Sequence, residues 1–223
     1  MLYMGNWGCL FDVDGVIIDS ETQYSIFWDG IEAIYPTGIP GYSMKIKGST
    51  LPVILSKYYN SESVRQDILT RLERFEDTMP LNIFPGVIDF LQQLQAAGVP
   101  CAIVTSSTRA KMERLQRLHP ELWPYFAAVI DGEMVSSPKP APECYQKGAS
   151  LIGLQPERCV VFEDSINGIK AGKAAGAYLV ALSTTLPAES LKTMEPDMII
   201  PSFAGFHVST LIDAIGERLV SKP

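Results

Sequence analysis

Six short runs of nearly continuous apolar residues, separated by segments of helical periodicity, constrain this chain more than any other feature. The runs are Trp7–Val13, Pro100–Thr105, Ala127–Ile130, Arg158–Phe162, Ala177–Leu182 and Met198–Ile200. They lack the polar alternation of a half-solvated strand, so each reads as a strand buried on both faces. Between them Val87, Phe90, Leu91 and Leu94 recur at helical spacing, opened by Pro85-Gly86 and closed by Gly98. Leu211, Ile212, Ile215 and Leu219 do the same near the C-terminus. Strand alternating with helix predicts parallel βαβ units in a doubly wound α/β sheet.

One stretch breaks the alternation. From Ile18 to about Phe84 there are helical patterns and no convincing strand. Tyr24, Phe27, Trp28, Ile31 and Tyr35 form one apolar stripe, and Val64, Ile68, Leu72 and Phe75 another. The Pro/Gly-rich segment Tyr35–Tyr42 separates them. The expected organisation is an α/β core from residues 1–17 and 85–223, with a helical module at 18–84 inserted after the first strand.

Charge and composition exclude several classes. With 18 basic and 25 acidic residues the formal net charge is −7, and no Lys/Arg run is present, so nucleic-acid binding is not expected. No apolar run approaches the ~20 residues of a membrane helix. The first residues carry no basic segment leading into an apolar one, and no signal peptide is read there. Cys9, Cys101, Cys144 and Cys159 are scattered without CxxC spacing, and three lie inside apolar runs, as reduced core thiols do. A cytoplasmic monomer is the expectation.

The chemistry-bearing residues cluster where apolar runs end. Phe11-Asp12-Val13-Asp14-Gly15 carries a strand directly into two carboxylates spaced i, i+2. In a parallel α/β sheet, ligands bind outside the carboxyl ends of the strands. Two acids held this close can divide roles, one ionised and one carrying a proton. Glu163-Asp164 ends another run, and adjacent acids there repel unless a cation lies between them. With Asp12 they make an oxygen-rich set suited to Mg²⁺. Thr105-Ser106-Ser107 ends a third run in hydroxyls and free N–H groups, an anion cradle. Lys139, held between Pro138 and Pro140, offers a point charge for phosphate.

This order of Asp-x-Asp-Gly, Thr/Ser, Lys and Glu-Asp resembles the haloacid dehalogenase (HAD) superfamily over nearly the whole chain. Ile46-Lys47-Gly48-Ser49-Thr50, the Lys-Pro-x-Pro element and Glu163-Asp164-Ser165-x-Asn167-Gly168 resemble its β-phosphoglucomutase-like group, which includes sugar phosphatases. The resemblance implies a helical cap, an Mg²⁺ cofactor and a small phosphorylated substrate. It makes Asp12 a nucleophile forming an aspartyl-phosphate and Asp14 the acid and base. It assigns the metal to Asp12, Asp164, the Asp14 carbonyl and Glu163. Phosphate would be bound by Thr105, Ser106 and Lys139, with Lys47 contributing from the cap. Asp19, where the chain leaves for the cap, is expected to be structural or hinge-related.

Within the superfamily, Asp14 and Glu163-Asp164 disfavour dehalogenase and phosphonate-cleaving branches. The mutase pattern has a cap His where this chain has Tyr24, and an Arg where it has Leu51. Hydrolysis of a sugar phosphate is therefore expected, with a phosphohexomutase as the alternative. A phospho-receiver domain would order its acids and Lys differently. Gly168-x-x-x-Gly172-Lys173 is one residue short of a P-loop and lacks its Ser/Thr.

Overall fold

The structure is a computed structural model describing residues 7–46 and 51–220. The chain divides into two compact units, one of residues 1–18 and 83–223 and one of residues 19–82.

The first unit is built on six parallel strands, β1 (Gly8–Phe11), β2 (Cys101–Val104), β3 (Ala128–Ile130), β4 (Cys159–Glu163), β5 (Tyr178–Leu182) and β6 (Met198–Ile200). Their order is β3-β2-β1-β4-β5-β6. The chain thus winds outward from β1 to one side, then returns to place β4 on the other side. That reversal between β1 and β4 is the switch point where such sheets open a crevice. Each run expected to be a strand is one, with bounds that differ by at most two residues; the fourth runs one residue further than expected, to Glu163, and the last is unchanged. The first expected strand reached Val13, but pairing stops at Phe11. The Asp12 N–H still donates to the Phe162 carbonyl (3.1 Å), whereas the Val13 carbonyl accepts from Ile17 and Ile18 N–H and curls the chain (both 2.9 Å).

Helices close both faces of this sheet. They are α5 (Val87–Ala96), α6 (Arg109–Leu118), α7 (Glu143–Leu151), α8 (Ile166–Ala175), α9 (Ala188–Lys192) and α10 (Val208–Val220), following four helices of the other unit. Alternation along each strand sorts its side chains to opposite faces. Leu10, Val161 and Leu179 meet Tyr145 and Ala149 of α7 and Ile169 of α8. On the opposite side Phe11 stacks on Phe162 with ring centroids 4.7 Å apart, and Phe90 of α5 meets the Phe162 ring edge-on at 5.5 Å. The P-loop-like glycines serve packing: a Cβ on Gly172 would stand 2.9 Å from the Leu179 side chain. All four cysteines are free and buried, three on strands and Cys144 on α7.

The second unit comprises α1 (Ser20–Ile34), α2 (Tyr42–Lys45), α3 (Leu51–Tyr58) and α4 (Glu62–Thr78). Asp19 is the N-cap of α1, its side chain accepting from the Thr22 N–H at 3.1 Å. The two expected stripes do supply an apolar core: Trp28, Ile31, Tyr42, Ile54 and Ile68 are buried together, with Tyr24, Phe27, Tyr35 and Val64 against them. Among the described residues no helix is long and apolar enough to cross a membrane.

Phe90 is fully buried and touches the rings of Phe162, Phe203 and Phe206. Phe90→Ala is expected to cost about 3–5 kcal/mol in urea unfolding, the range for emptying a buried aromatic site; a loss below 1 kcal/mol would show that this ring cluster does not organise the core.

Candidate active site

Four strand ends supply the polar residues of the first unit. At the end of β1, Asp12 is 7% exposed; at the end of β4, Glu163 is fully buried and Asp164 is 3% exposed; Thr105 follows β2 and is 2% exposed. Ser106 is exposed beside it. Lys139 approaches from the loop between β3 and α7. Its ammonium donates to Asp12 Oδ1 (2.8 Å), to Glu163 Oε1 (2.7 Å) and to the Val104 carbonyl (3.2 Å). Three donors on one ammonium thus find three acceptors at the ends of three neighbouring strands, β1, β2 and β4. The Tyr145 ring lies under the same ammonium, 4.9 Å from centroid to Nζ.

Glu163 is held from every side. Besides Lys139, its Oε1 accepts from the Tyr145 hydroxyl (2.7 Å). Its Oε2 accepts from the N–H groups of Asp164 and Ser165 (both 3.1 Å) and from the Ser165 hydroxyl (3.0 Å). The Ser165 hydroxyl in turn caps α8 by accepting from the Gly168 N–H at 3.1 Å. A Cβ on Gly168 would overlap the Glu163 carboxylate, so glycine is what lets α8 start this close to β4. Burial opposes the charge on Glu163, but Lys139, Tyr145 and the Ser165 N–H outweigh it and its pKa is lowered.

Asp12 balances the other way. Burial pushes its pKa up, Lys139 pulls it down, and the Glu163 charge pushes it up again, leaving it raised from 3.8 to about 7. For Lys139, burial works against the cation but the two carboxylates prevail, and its pKa is raised.

Asp14 lies beyond the end of β1, close enough for its charge to add to the rise in the Asp12 pKa. Asp14 turns to different partners: Ser107 Oγ donates to its Oδ2 and Lys111 Nζ to its Oδ1, each at 2.5 Å. Thr105 is positioned by its N–H on the Ile130 carbonyl (2.9 Å), and its hydroxyl accepts from the Ser107 N–H (3.0 Å). The loop after β5 closes the group. Thr184 Oγ1 donates to the Gly15 carbonyl (2.5 Å), and the Thr185 hydroxyl donates to Asp164 Oδ2. Gly15, at φ +75°, has no room for a Cβ against Asp164.

Asp12, Glu163 and Asp164 each offer a carboxylate oxygen, and these oxygens lie within 4.8 Å of one another. A set of hard anionic oxygens without His or Cys fits Mg²⁺. Asp12 and Asp164 would hold the ion, while Glu163, its oxygens already engaged by five donors, suits a supporting position.

Thus Asp12, Glu163, Asp164 and Lys139 are brought together as a group, with Asp14 two residues beyond Asp12 and Thr105 and Ser106 at the end of the adjoining β2. Lys47 lies outside the described residues. Sequence reasoning missed Tyr145 and Lys111, and it missed Thr184 and Thr185 in the loop after β5. Tyr145 reads as one more apolar residue of α7, and Lys111 as one charge among several on a polar helix. Ser107 stood at the end of the hydroxyl run without a role of its own.

Over residues 8–176 the chain matches the family described as haloacid dehalogenase-like hydrolase. It is 32% identical to hexitol phosphatase A of Escherichia coli (strain K12) over 211 residues, 91% of this chain and 94% of that protein. A HAD family hydrolase from Deinococcus radiodurans R1, solved with bound phosphate and sodium, superposes with a TM-score of 0.76 at 27% identity, covering 93% of this chain and 95% of that one. β-Phosphoglucomutase from Clostridium difficile shares the fold, with a TM-score of 0.72 at 18% identity over 96% of this chain and 98% of its own.

The raised pKa of Asp12 fixes the sign of a stability effect. Between pH 3.8 and about 7 the unfolded chain ionises this carboxyl while the folded one resists, so folding stability is lost as pH rises through that window. In EDTA at pH 8, Asp12→Asn is therefore expected to melt several degrees above the unsubstituted protein in calorimetry. The gap should narrow toward pH 4, and a variant that melts lower at pH 8 would contradict this balance.

Proposed function

The chain belongs to the haloacid dehalogenase-like hydrolases, and from that premise we propose that it is a magnesium-dependent phosphatase of a small sugar or polyol phosphate. The observation that carries this reading is the buried set of Asp12, Glu163 and Asp164 with Lys139 locked between two of them. Such a set prepares one carboxylate to act on an anion and keeps a fixed cation beside it.

In this reading Asp12 attacks phosphorus in line, the bond from phosphorus to the leaving oxygen breaks, and Asp14 gives that oxygen its proton. Asp14 then takes a proton from the water that attacks the aspartyl-phosphate, releasing phosphate and restoring Asp12. Lys139, the Thr105 hydroxyl and the Ser106 backbone bind and neutralise the phosphoryl oxygens. Bound Mg²⁺ would supply charge neutralisation between nucleophile and phosphate. Glu163 keeps Lys139 aimed and charged. The helical unit, residues 19–82, is proposed as the cap that selects the substrate and excludes water, with Lys47 as a substrate contact.

The substrate class rests on two observations. The 32% identical relative is named a hexitol phosphatase. The helical unit carries a cavity of about 250 Å³ lined by Glu21, Tyr24 and Glu76 and equally by apolar residues, among them Trp28, Leu51 and Ile54, with the Tyr24 hydroxyl donating to Glu76 at 2.8 Å. Polar groups beside apolar ones suit the mixed faces of a sugar or polyol, and the two carboxylates would repel a second phosphate, which favours hydrolysis over the bisphosphate chemistry of a mutase. Tyr24 occupies the position where the mutase pattern carries a cationic residue.

With Mg²⁺ the purified protein is expected to release phosphate from hexitol and hexose monophosphates. EDTA or Asp12→Ala should abolish release, a loss of at least about 10³-fold. Scoring phosphate release and isomerisation separately over a panel of phosphorylated metabolites tests the choice. Conversion of β-glucose 1-phosphate to glucose 6-phosphate, dependent on glucose 1,6-bisphosphate and with little phosphate release, would overturn it.

A further inference from the structure

Asp14 is gripped at both oxygens by one short stretch of chain. Ser107 Oγ and Lys111 Nζ each lie 2.5 Å away, and the Lys111 side chain is only 14% exposed. Lysines that merely solvate a helix face keep their ammonium in water; this one is turned inward.

The stretch carrying both donors is itself anchored. The Thr108 side chain caps α6 by accepting from the Lys111 N–H (3.3 Å). The Ser107 carbonyl accepts from the Gly132 N–H (2.8 Å). Arg109 donates its N–H to Glu133 (3.1 Å) and its Nε to the buried Asp131 (3.3 Å), and Asp131 accepts from the Glu133 N–H (3.0 Å). The start of α6 is therefore tied to the loop after β3 through Ser107 and Arg109, just ahead of Lys111. A long side chain leaving a fixed backbone can set a direction as well as a charge.

We propose that Lys111, with Ser107, is a positioning residue that fixes the Asp14 carboxyl group for proton delivery to the leaving oxygen. Donors on separate oxygens lock rotation about the carboxyl's own axis, which a single contact leaves free. The orientation of the proton donor is then set before substrate arrives. The inference rests on the reading of Asp14 as the proton donor, and the two are separated by leaving-group dependence. An alkyl phosphate expels a strongly basic oxygen that must be protonated as it departs; p-nitrophenyl phosphate expels a stable anion that need not be. General acid catalysis is worth about 10²–10⁴-fold, and misplacing a catalytic group by 1 Å about 10²-fold.

The experiment measures kcat/KM for sorbitol 6-phosphate and for p-nitrophenyl phosphate in the full chain with Mg²⁺, for the unsubstituted protein, Lys111→Met, Lys111→Arg and Asp14→Asn. The ratio of alkyl to aryl kcat/KM is expected to fall about 10- to 100-fold in Lys111→Met, to recover most of that in Lys111→Arg, and to fall furthest in Asp14→Asn. Equal losses on both substrates in Lys111→Met would overturn the proposal, marking Lys111 as a phosphate ligand or a structural residue; so would an unchanged ratio. If Asp14→Asn itself leaves the ratio unchanged, the proton-donor reading fails, whatever Lys111 does.

Discussion

One ammonium holds this site together. Lys139 stands between Asp12 and Glu163 in a place almost closed to water, where a lone carboxylate would be forced neutral and two would repel. The lysine makes the pair tolerable but does not serve both members equally. Glu163 also receives the Tyr145 hydroxyl, two backbone N–H groups and the Ser165 hydroxyl, and it stays ionised. Of these donors only Lys139 reaches Asp12, whose pKa is left near 7. The asymmetry separates their tasks. Glu163 is fully engaged in structural contacts, while Asp12 is kept short of positive charge, as the proposed nucleophile and metal ligand must be.

The topology explains why such a cluster can exist. Six parallel strands direct their carboxyl ends the same way, and the reversal of strand order places β4 beside β1. Phe11 pairs with both Ile103 and Phe162, so the residues after these strands lie on adjacent chains at one level. The aromatic stack of Phe11 on Phe162 and the curl of the Val13 turn hold Asp12 at the edge of a dry core. Stability and chemistry meet there, because the burial that secures the strands also perturbs the carboxylates.

Much of this was legible before the structure was seen, for a physical reason. A strand buried on both faces must be apolar throughout, so a carboxylate at its end stands out: Asp12 after Phe11, Glu163-Asp164 after Phe162. Proline on both sides of Lys139 likewise announces a fixed lysine. The bounds were less legible, since Val13 is as apolar as the strand before it and only the hydrogen bonds to its carbonyl reveal a turn. Lys111 and Tyr145 were missed because their surroundings hide them. Lys111 sits among Arg109, Glu113 and Arg114 on a helix whose polarity suggests solvent, and Tyr145 differs from a core apolar residue by one hydroxyl, which happens to reach Glu163. Thr184 and Thr185 carry no spacing signal, since what matters is the loop path that brings them to Gly15 and Asp164.

The central claim is that the carboxylate left under-neutralised by Lys139 is the one that takes the phosphoryl group. Its most direct test is to mix Asp14→Asn with Mg²⁺ and p-nitrophenyl phosphate, whose leaving group needs no proton, quench in acid within the first turnovers, and map phosphorylated peptides by mass spectrometry. The account predicts one acid-stable, base-labile phosphoryl group, on Asp12. Phosphate carried on another residue, or turnover without any phosphorylated enzyme, would contradict it.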